Sequence, residues 1–132
     1  MKTRLFDKNK DYNTLCEWWE DWGMKQHPTE ALSQTGIIIS EDNIDICSGF
    51  IYSTDSYIAW VEFITSNKKA TKEQRKKALI KLVQSILEKA KSMGFKLVMC
   101  FGLENKYPII SKEIKKQADV TVKNMFLHYK IL

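Results

Sequence analysis

Glu62 is the side chain in this sequence best placed for acid–base chemistry. It sits in the run YIAWVEFIT (Tyr57 to Thr65), where a period of two puts it on the face of Ile58, Trp60 and Ile64. A carboxylate in such apolar company is desolvated, which raises its pKa toward the range useful for a general base acting on an amine. The same pattern leaves open an ion pair between Glu62 and a lysine of the following helix or the preceding hairpin. Directly after the strand comes SNKKATKEQRKK (Ser66 to Lys77), a basic turn leading into a long amphipathic helix that runs to Met93. A helix N-terminus ringed with lysine and arginine, just beyond the end of a strand, suits a phosphate-bearing ligand. Its unpaired N–H groups and the helix dipole both favour an anion.

Charge reinforces that reading. Residues 1 to 62 carry 5 basic and 11 acidic side chains, whereas residues 63 to 132 carry 16 basic and 5 acidic, so the net charge of +5 conceals two halves of opposite sign. Between Lys68 and Lys81 seven basic side chains stand against Glu73 alone. This implies an anionic partner for the second half, or simply a solvated basic face. No aromatic residue lies between Lys68 and Lys81, so a nucleic acid is offered phosphate attraction without base stacking.

Other chemistries find little support. Cys16, Cys47 and Cys100 are odd in number, lack a paired spacing and each sit in an apolar pattern, which reads as reduced core thiols in a cytoplasmic protein. His27 and His128 stand alone, so no metal site is expected. No apolar run approaches the roughly 18 residues needed to span a bilayer, and MKTRLFDKNK has no apolar segment resembling a secretory signal, so no membrane partner is expected.

The elements that position these residues follow from periodicity. The length of 132 residues, with 44% apolar and 28% charged side chains, is that of a single globular domain spanning 1–132. Thr3 to Phe6 reads as a strand. From Tyr12 to Trp22, helical spacing gathers Leu15, Trp18, Trp19 and Trp22 on one stripe, with Asp11 and Asn13 available as caps. That stripe serves as core or as the rim of an acceptor pocket. A short helical turn is expected over Thr29 to Gln34. Gly36 to Ser40 and Ile44 to Tyr52 form a hairpin about the polar turn Glu41 to Asn43, with Gly49 marking a bulge or close approach. Tyr57 to Thr65, apolar on both faces, belongs in the middle of the sheet. Gly94 stops the long helix, and Phe95 to Leu103 is the next strand. A weaker helix near Pro108 to Ala118 and a last strand within Val120 to Leu132 complete the order βα(α)βββαβαβ. This is an α/β (α+β) fold, with a mixed, mostly antiparallel sheet of about six strands and helices on its faces. The hydrophobic last strand either closes its own sheet or pairs across a homodimer.

That order, together with the tract ALIKLVQSILEKAKSMGFKLV (Ala78 to Val98), resembles the GNAT N-acetyltransferase superfamily. EWWEDW (Glu17 to Trp22), CSGFIY (Cys47 to Tyr52) and AWVEFITSN (Ala59 to Asn67) are similar to segments of small GNAT-like proteins encoded in phage genomes. The resemblance implies an acyl-CoA-dependent N-acetyltransferase that moves an acetyl group from acetyl-CoA to a primary amine on a small molecule or protein. Backbone N–H groups at Phe63, Ile64 and Thr65 would polarise the thioester carbonyl, with Glu62 as the base.

Members of the superfamily grip pyrophosphate with an Arg/Gln-x-x-Gly-x-Gly/Ala loop, whose glycines let backbone amides approach the phosphates. Here the matching loop runs from Thr71 through Lys72, Glu73, Gln74 and Arg75 to Lys76, so Gln74 and Lys76 occupy the glycine positions. Lys72, Arg75 and Lys76 offer charge-assisted contacts instead. Asn105 matches a polar residue that contacts the cofactor arm. The tyrosine that protonates the leaving thiolate is matched by Ile114, which cannot do so, and Tyr107 is the nearby substitute. Three functions therefore remain in play: the N-acetyltransferase, a catalytically degenerate relative that binds a host or phage protein, and a weaker phosphate-driven nucleic-acid binder.

Overall fold

A computed structural model of the chain describes residues 1–100 together with Lys112, Lys115 and Lys116. Its elements are β1 (Lys2–Leu5), α1 (Lys8–Asp21), a 3-10 turn (Thr29–Ala31), β2 (Thr35–Glu41), β3 (Ile44–Ser53), β4 (Ile58–Ser66), α2 (Lys72–Ser92) and β5 (Leu97–Cys100). The strands lie side by side in chain order; the first four are antiparallel to their neighbours, and β5 runs parallel to β4. The mixed, mostly antiparallel α+β architecture expected from the sequence is present. Lys112, Lys115 and Lys116 are helical and exposed, within the span expected for the late helix. The rest of that helix and the expected last strand lie outside the described residues.

The sheet is buried on both faces, because its strands alternate between two cores. Ile37, Ile39, Ile51, Ala59 and Val61 pack beneath Leu79, Leu82 and Ile86 of α2. Their neighbours Ile38 and Phe50 face Leu15, Trp18 and Trp19 of α1. Two of the three tryptophans of the α1 stripe are therefore core, and Trp22 is left half-buried at the end of the helix. Gly36 is required by this packing: a Cβ there would lie 2.5 Å from the Phe50 ring and 2.7 Å from Phe6 Cβ.

Several boundaries differ from those the sequence suggests. Helix α1 starts at Lys8, and its cap is Asp7, whose carboxylate accepts from the Asn9 N–H at 2.9 Å; neither Asp11 nor Asn13 caps it. Asp11 is instead buried in the first turn and receives both prongs of the Arg4 guanidinium, at 2.8 and 2.9 Å, plus the Asp7 N–H at 2.7 Å. Arg4 also reaches Asp45 at 2.7 Å, so one side chain ties β1, α1 and β3 together. Helix α2 begins at Lys72, well inside the segment expected to be turn. Asp42 and Asn43 both have positive φ, 51° and 62°, which makes them the two-residue loop of a tight hairpin whose twist matches its strands.

Candidate active site

The ladder between β3 and β4 breaks at the end nearest α2. Ser48 faces Thr65 and Phe50 faces Glu62, so Gly49 alone lies opposite Phe63 and Ile64. The extra residue makes a β-bulge, and Phe63 adopts φ of 54° to form it. A left-handed conformation costs a non-glycine residue about 1–2 kcal/mol, so something must hold Phe63 there. Its ring packs among His27 at 4.9 Å, Trp19 at 5.9 Å and Tyr52 at 6.1 Å between centroids, and Thr65 Oγ1 donates to the Phe63 carbonyl at 3.2 Å. Gly49 gives the strand room on the other side: an added Cβ would meet Ile86 at 3.0 Å and Ile64 at 3.3 Å.

The bulge also corrects the face on which Glu62 was expected to sit. Beyond Phe63 the alternation shifts by one residue, so Ile64 packs with the α2 core instead of beside Glu62. Glu62 shares its face with Trp60 and with Phe50 and Tyr52 of the neighbouring strand. It is half-buried, and burial raises its carboxyl pKa. Among the described residues no lysine or arginine forms an ion pair with it. Its charge in turn adds to the burial that raises the Tyr52 hydroxyl and pushes the Cys100 thiol up to about 12. Tyr52 is fixed by donating to the Ala31 carbonyl at 2.7 Å, and Tyr12 by donating to the His27 carbonyl at 2.7 Å.

The segment from β4 into α2 is stitched by its own side chains. Thr71 caps the helix: its hydroxyl accepts from the Gln74 N–H at 3.1 Å, and the Gln74 amide oxygen accepts from the Thr71 N–H at 3.0 Å. This capping box satisfies two of the N–H groups left open at the start of the helix. The Gln74 amide nitrogen lies 3.4 Å from Glu41. Arg75 turns back, donating to the carbonyls of Lys68 and Ala70. Lys72 and Lys76 are exposed on the first turns, and Glu73 pairs with Lys77 across one turn.

Of the residues singled out in the sequence, the structure brings Glu62, Phe63, Ile64 and Thr65 together at the bulge, and Thr71, Lys72, Gln74, Arg75 and Lys76 onto the start of the next helix. Asn105 and Tyr107 lie outside the described residues. The aromatic group of Trp19, His27, Tyr52 and Phe63 was not foreseen, because its members come from four separate segments. Among the described residues no cluster of His, Cys, Asp and Glu could hold a metal ion, and no helix is long and apolar enough to cross a membrane. A cleft of ≈ 390 Å³ lies along Lys2, Thr3, Arg4, Ser40, Asn43 and Asp45, but Arg4 and Asp45 spend their charges on each other there.

Solved structures share this fold. An aminoglycoside acetyltransferase from an uncultured soil metagenomic sample, in complex with sisomicin, superposes with a TM-score of 0.70 at 15% identity, covering 98% of this chain and 96% of that one. The fold is GNAT-like. An acetyltransferase of Trypanosoma brucei gives a TM-score of 0.60 at 13% identity, with 97% and 99% covered. The wild-type TTHA1254 protein of Thermus thermophilus gives 0.70 at 15%, with 100% and 98% covered. At these identities the likeness is one of fold. No protein-family model matches the chain, and no curated protein matches it in sequence.

Proposed function

We propose that the chain is an acyl-CoA-dependent N-acetyltransferase acting on a primary amine. The observation that carries this reading is the bulge at Phe63, which interrupts the ladder beside a half-buried Glu62 that has no cationic partner among the described residues. A bulge leaves backbone groups without ladder partners, and the N–H groups of Phe63, Ile64 and Thr65 are the oxyanion donors in this reading. Glu62 takes the proton of the acceptor amine, directly or through a water; its raised pKa makes it a stronger base than an exposed carboxylate.

Acetyl-CoA, when bound, supplies the acetyl thioester. Lys72 and Lys76, exposed beside the positive end of α2, would hold its pyrophosphate. Thr71 and Gln74 shape that end, since the side chain of each accepts from the backbone N–H of the other. In the same proposal Asn105 contacts the cofactor arm and Tyr107 returns a proton to the leaving thiolate, which a Tyr107→Phe variant with unchanged turnover would refute. In this proposal the setting is cytoplasmic, in keeping with three cysteines that lack a paired spacing, and the phage origin follows from the sequence resemblance.

The test is direct. Acetyl-CoA at a hundred times its dissociation constant stabilises a binder by about 2.7 kcal/mol, a clear thermal shift. A chain that shows no shift at millimolar acetyl-CoA is not this enzyme. One observation favours a second reading, a GNAT-like protein that has lost catalysis and binds a protein partner: both glycine positions carry long side chains, and one of them closes a capping box. That reading predicts neither a shift nor acetyl transfer to any amine in a panel.

A further inference from the structure

The segment joining β4 to α2 contains no glycine between Ser66 and Lys76. A glycine-rich loop can take its shape from its own backbone, whereas this one is held by side chains: within the segment by Asn67 and the Thr71–Gln74 box, and from outside by Trp22. The indole Nε1–H donates to the Ser66 carbonyl at 2.7 Å, where β4 ends. Lys68 Nζ lies over the indole ring, 5.1 Å from its centroid, and donates to the Asp21 carbonyl at 2.9 Å. The Arg75 guanidinium also stacks on that ring, at 5.6 Å, while bonding the Lys68 and Ala70 carbonyls. One ring thus holds the start of the segment, its middle and the first turn of the helix that follows.

Trp22 is itself fixed. It is the residue that ends α1, its N–H donates to the Trp18 carbonyl at 3.2 Å, and Gly23 turns the chain away at φ of 67°. Lys68 and Arg75 gather at the C-terminal end of α1, where the helix dipole is negative and favours them. Arg75 is consequently a brace for the segment, and Lys72 and Lys76 are left facing outward.

We propose that Trp22 is a positioning residue for acetyl-CoA, setting the shape of the segment 66–76 that lacks the glycines to set its own. This rests on the acetyltransferase reading above. The test compares Trp22→Leu, which removes ring and N–H, with Trp22→Phe, which keeps a ring for the cations. Acetyl-CoA affinity by calorimetry, KM against kcat, and hydrogen exchange of the amides of residues 67–71 are the readouts.

The expected result for Trp22→Leu is a loss of acetyl-CoA affinity on the order of tenfold, the scale of one hydrogen bond plus stacked cations. Its kcat at saturation stays within about twofold, since the chemistry at Glu62 is untouched, and exchange in 67–71 quickens. Trp22→Phe falls between the two. A folded Trp22→Leu protein that binds acetyl-CoA as tightly as the parent overturns the proposal, even if exchange in the segment quickens. If the leucine variant does not fold, Trp22→Phe decides, and unchanged affinity there overturns it. A parent chain that binds no acetyl-CoA overturns the enzyme reading along with this one, whereas a parent that binds beside an unaffected variant overturns only the role of Trp22.

Discussion

Replacing Arg4 by methionine removes the ion pairs that join β1 to α1 through Asp11 and to β3 through Asp45, and the buried Asp11 pair dominates the expected effect. The guanidinium meets Asp11 through two hydrogen bonds of 2.8 and 2.9 Å, and the Asp11 side chain is only 10% exposed. Arg4→Met leaves that carboxylate buried with the Asp7 N–H as its remaining partner. Breaking a buried pair costs about 3–5 kcal/mol. The Arg4 side chain is 40% exposed, however, so water already screens part of the interaction and the expected loss is about 2 kcal/mol. For a chain of this length that corresponds to a drop in Tm of roughly 6–10 °C. The effect carries a pH signature. The hydrogen bonds from Arg4 hold the Asp11 carboxyl below its ordinary value of 3.8, and the Asp7 N–H acts in the same direction, against burial. A carboxylate with a depressed folded pKa stabilises the protein above its unfolded pKa, and that stability is lost as pH falls through the folded value. Thermal unfolding of both proteins, followed by circular dichroism between pH 7 and pH 2, should therefore show a gap that narrows below about pH 4. A gap under about 2 °C at pH 7, or one that stays constant down to pH 2, would refute the assignment of the stabilisation to this pair.

Other substitutions probe the site and its frame. Glu62→Gln should lower turnover by about 10²- to 10⁴-fold and remove the acid limb of the kcat/KM profile. In the parent that limb lies above the ordinary glutamate value of 4.5, with the rate rising as Glu62 ionises; undiminished acetyl transfer would take Glu62 out of the mechanism. Gly36→Ala forces a Cβ onto the Phe50 ring at 2.5 Å and should cost about 1–3 kcal/mol in denaturant melts; an unchanged midpoint would show that the Phe6–Phe50 contact can shift at no cost. Thr71→Ala removes the α2 cap and should cost about 1 kcal/mol, and frayed exchange at residues 72–75 is its local readout.

The sheet was legible in the sequence because its signals are local. Short apolar runs bounded by polar turns marked β2, β3 and β4, and Glu41, Asp42 and Asn43 marked the hairpin that the structure contains. The start of α2 was harder to see, because no apolar residue precedes Ala78 in the helix to reveal a period of 3.6. The cap signal, Thr71 with Gln74 three residues on, was present all the same. Gly49 hinted at an irregularity, but nothing in the residue type of Phe63 announces a positive φ, since aromatic residues avoid it. The conformation is imposed by long-range packing on Trp19, His27 and Tyr52, which no periodicity connects. The displaced face of Ile64 follows from the same bulge. Trp22 was visible as part of an apolar stripe, yet its bond to Ser66 spans 44 positions and could not be read from spacing.

The strand order also bears on how the molecule is assembled. From β2 to β4 each strand pairs with the one that follows it in the chain, so most of the sheet closes through short loops with little entropic cost. The parallel pairing of β4 with β5 must wait for the whole of α2 to form and pack across the sheet. Pulse-labelled hydrogen exchange during refolding should therefore protect β2 and β3 first, and the amides of β5 and of the segment leading into α2 last. If β5 is protected as early as β3, that order of events is wrong. On this account the half of the sheet made from the acidic part of the sequence is the template, and the basic half that carries the proposed cofactor contacts is added to a scaffold already standing.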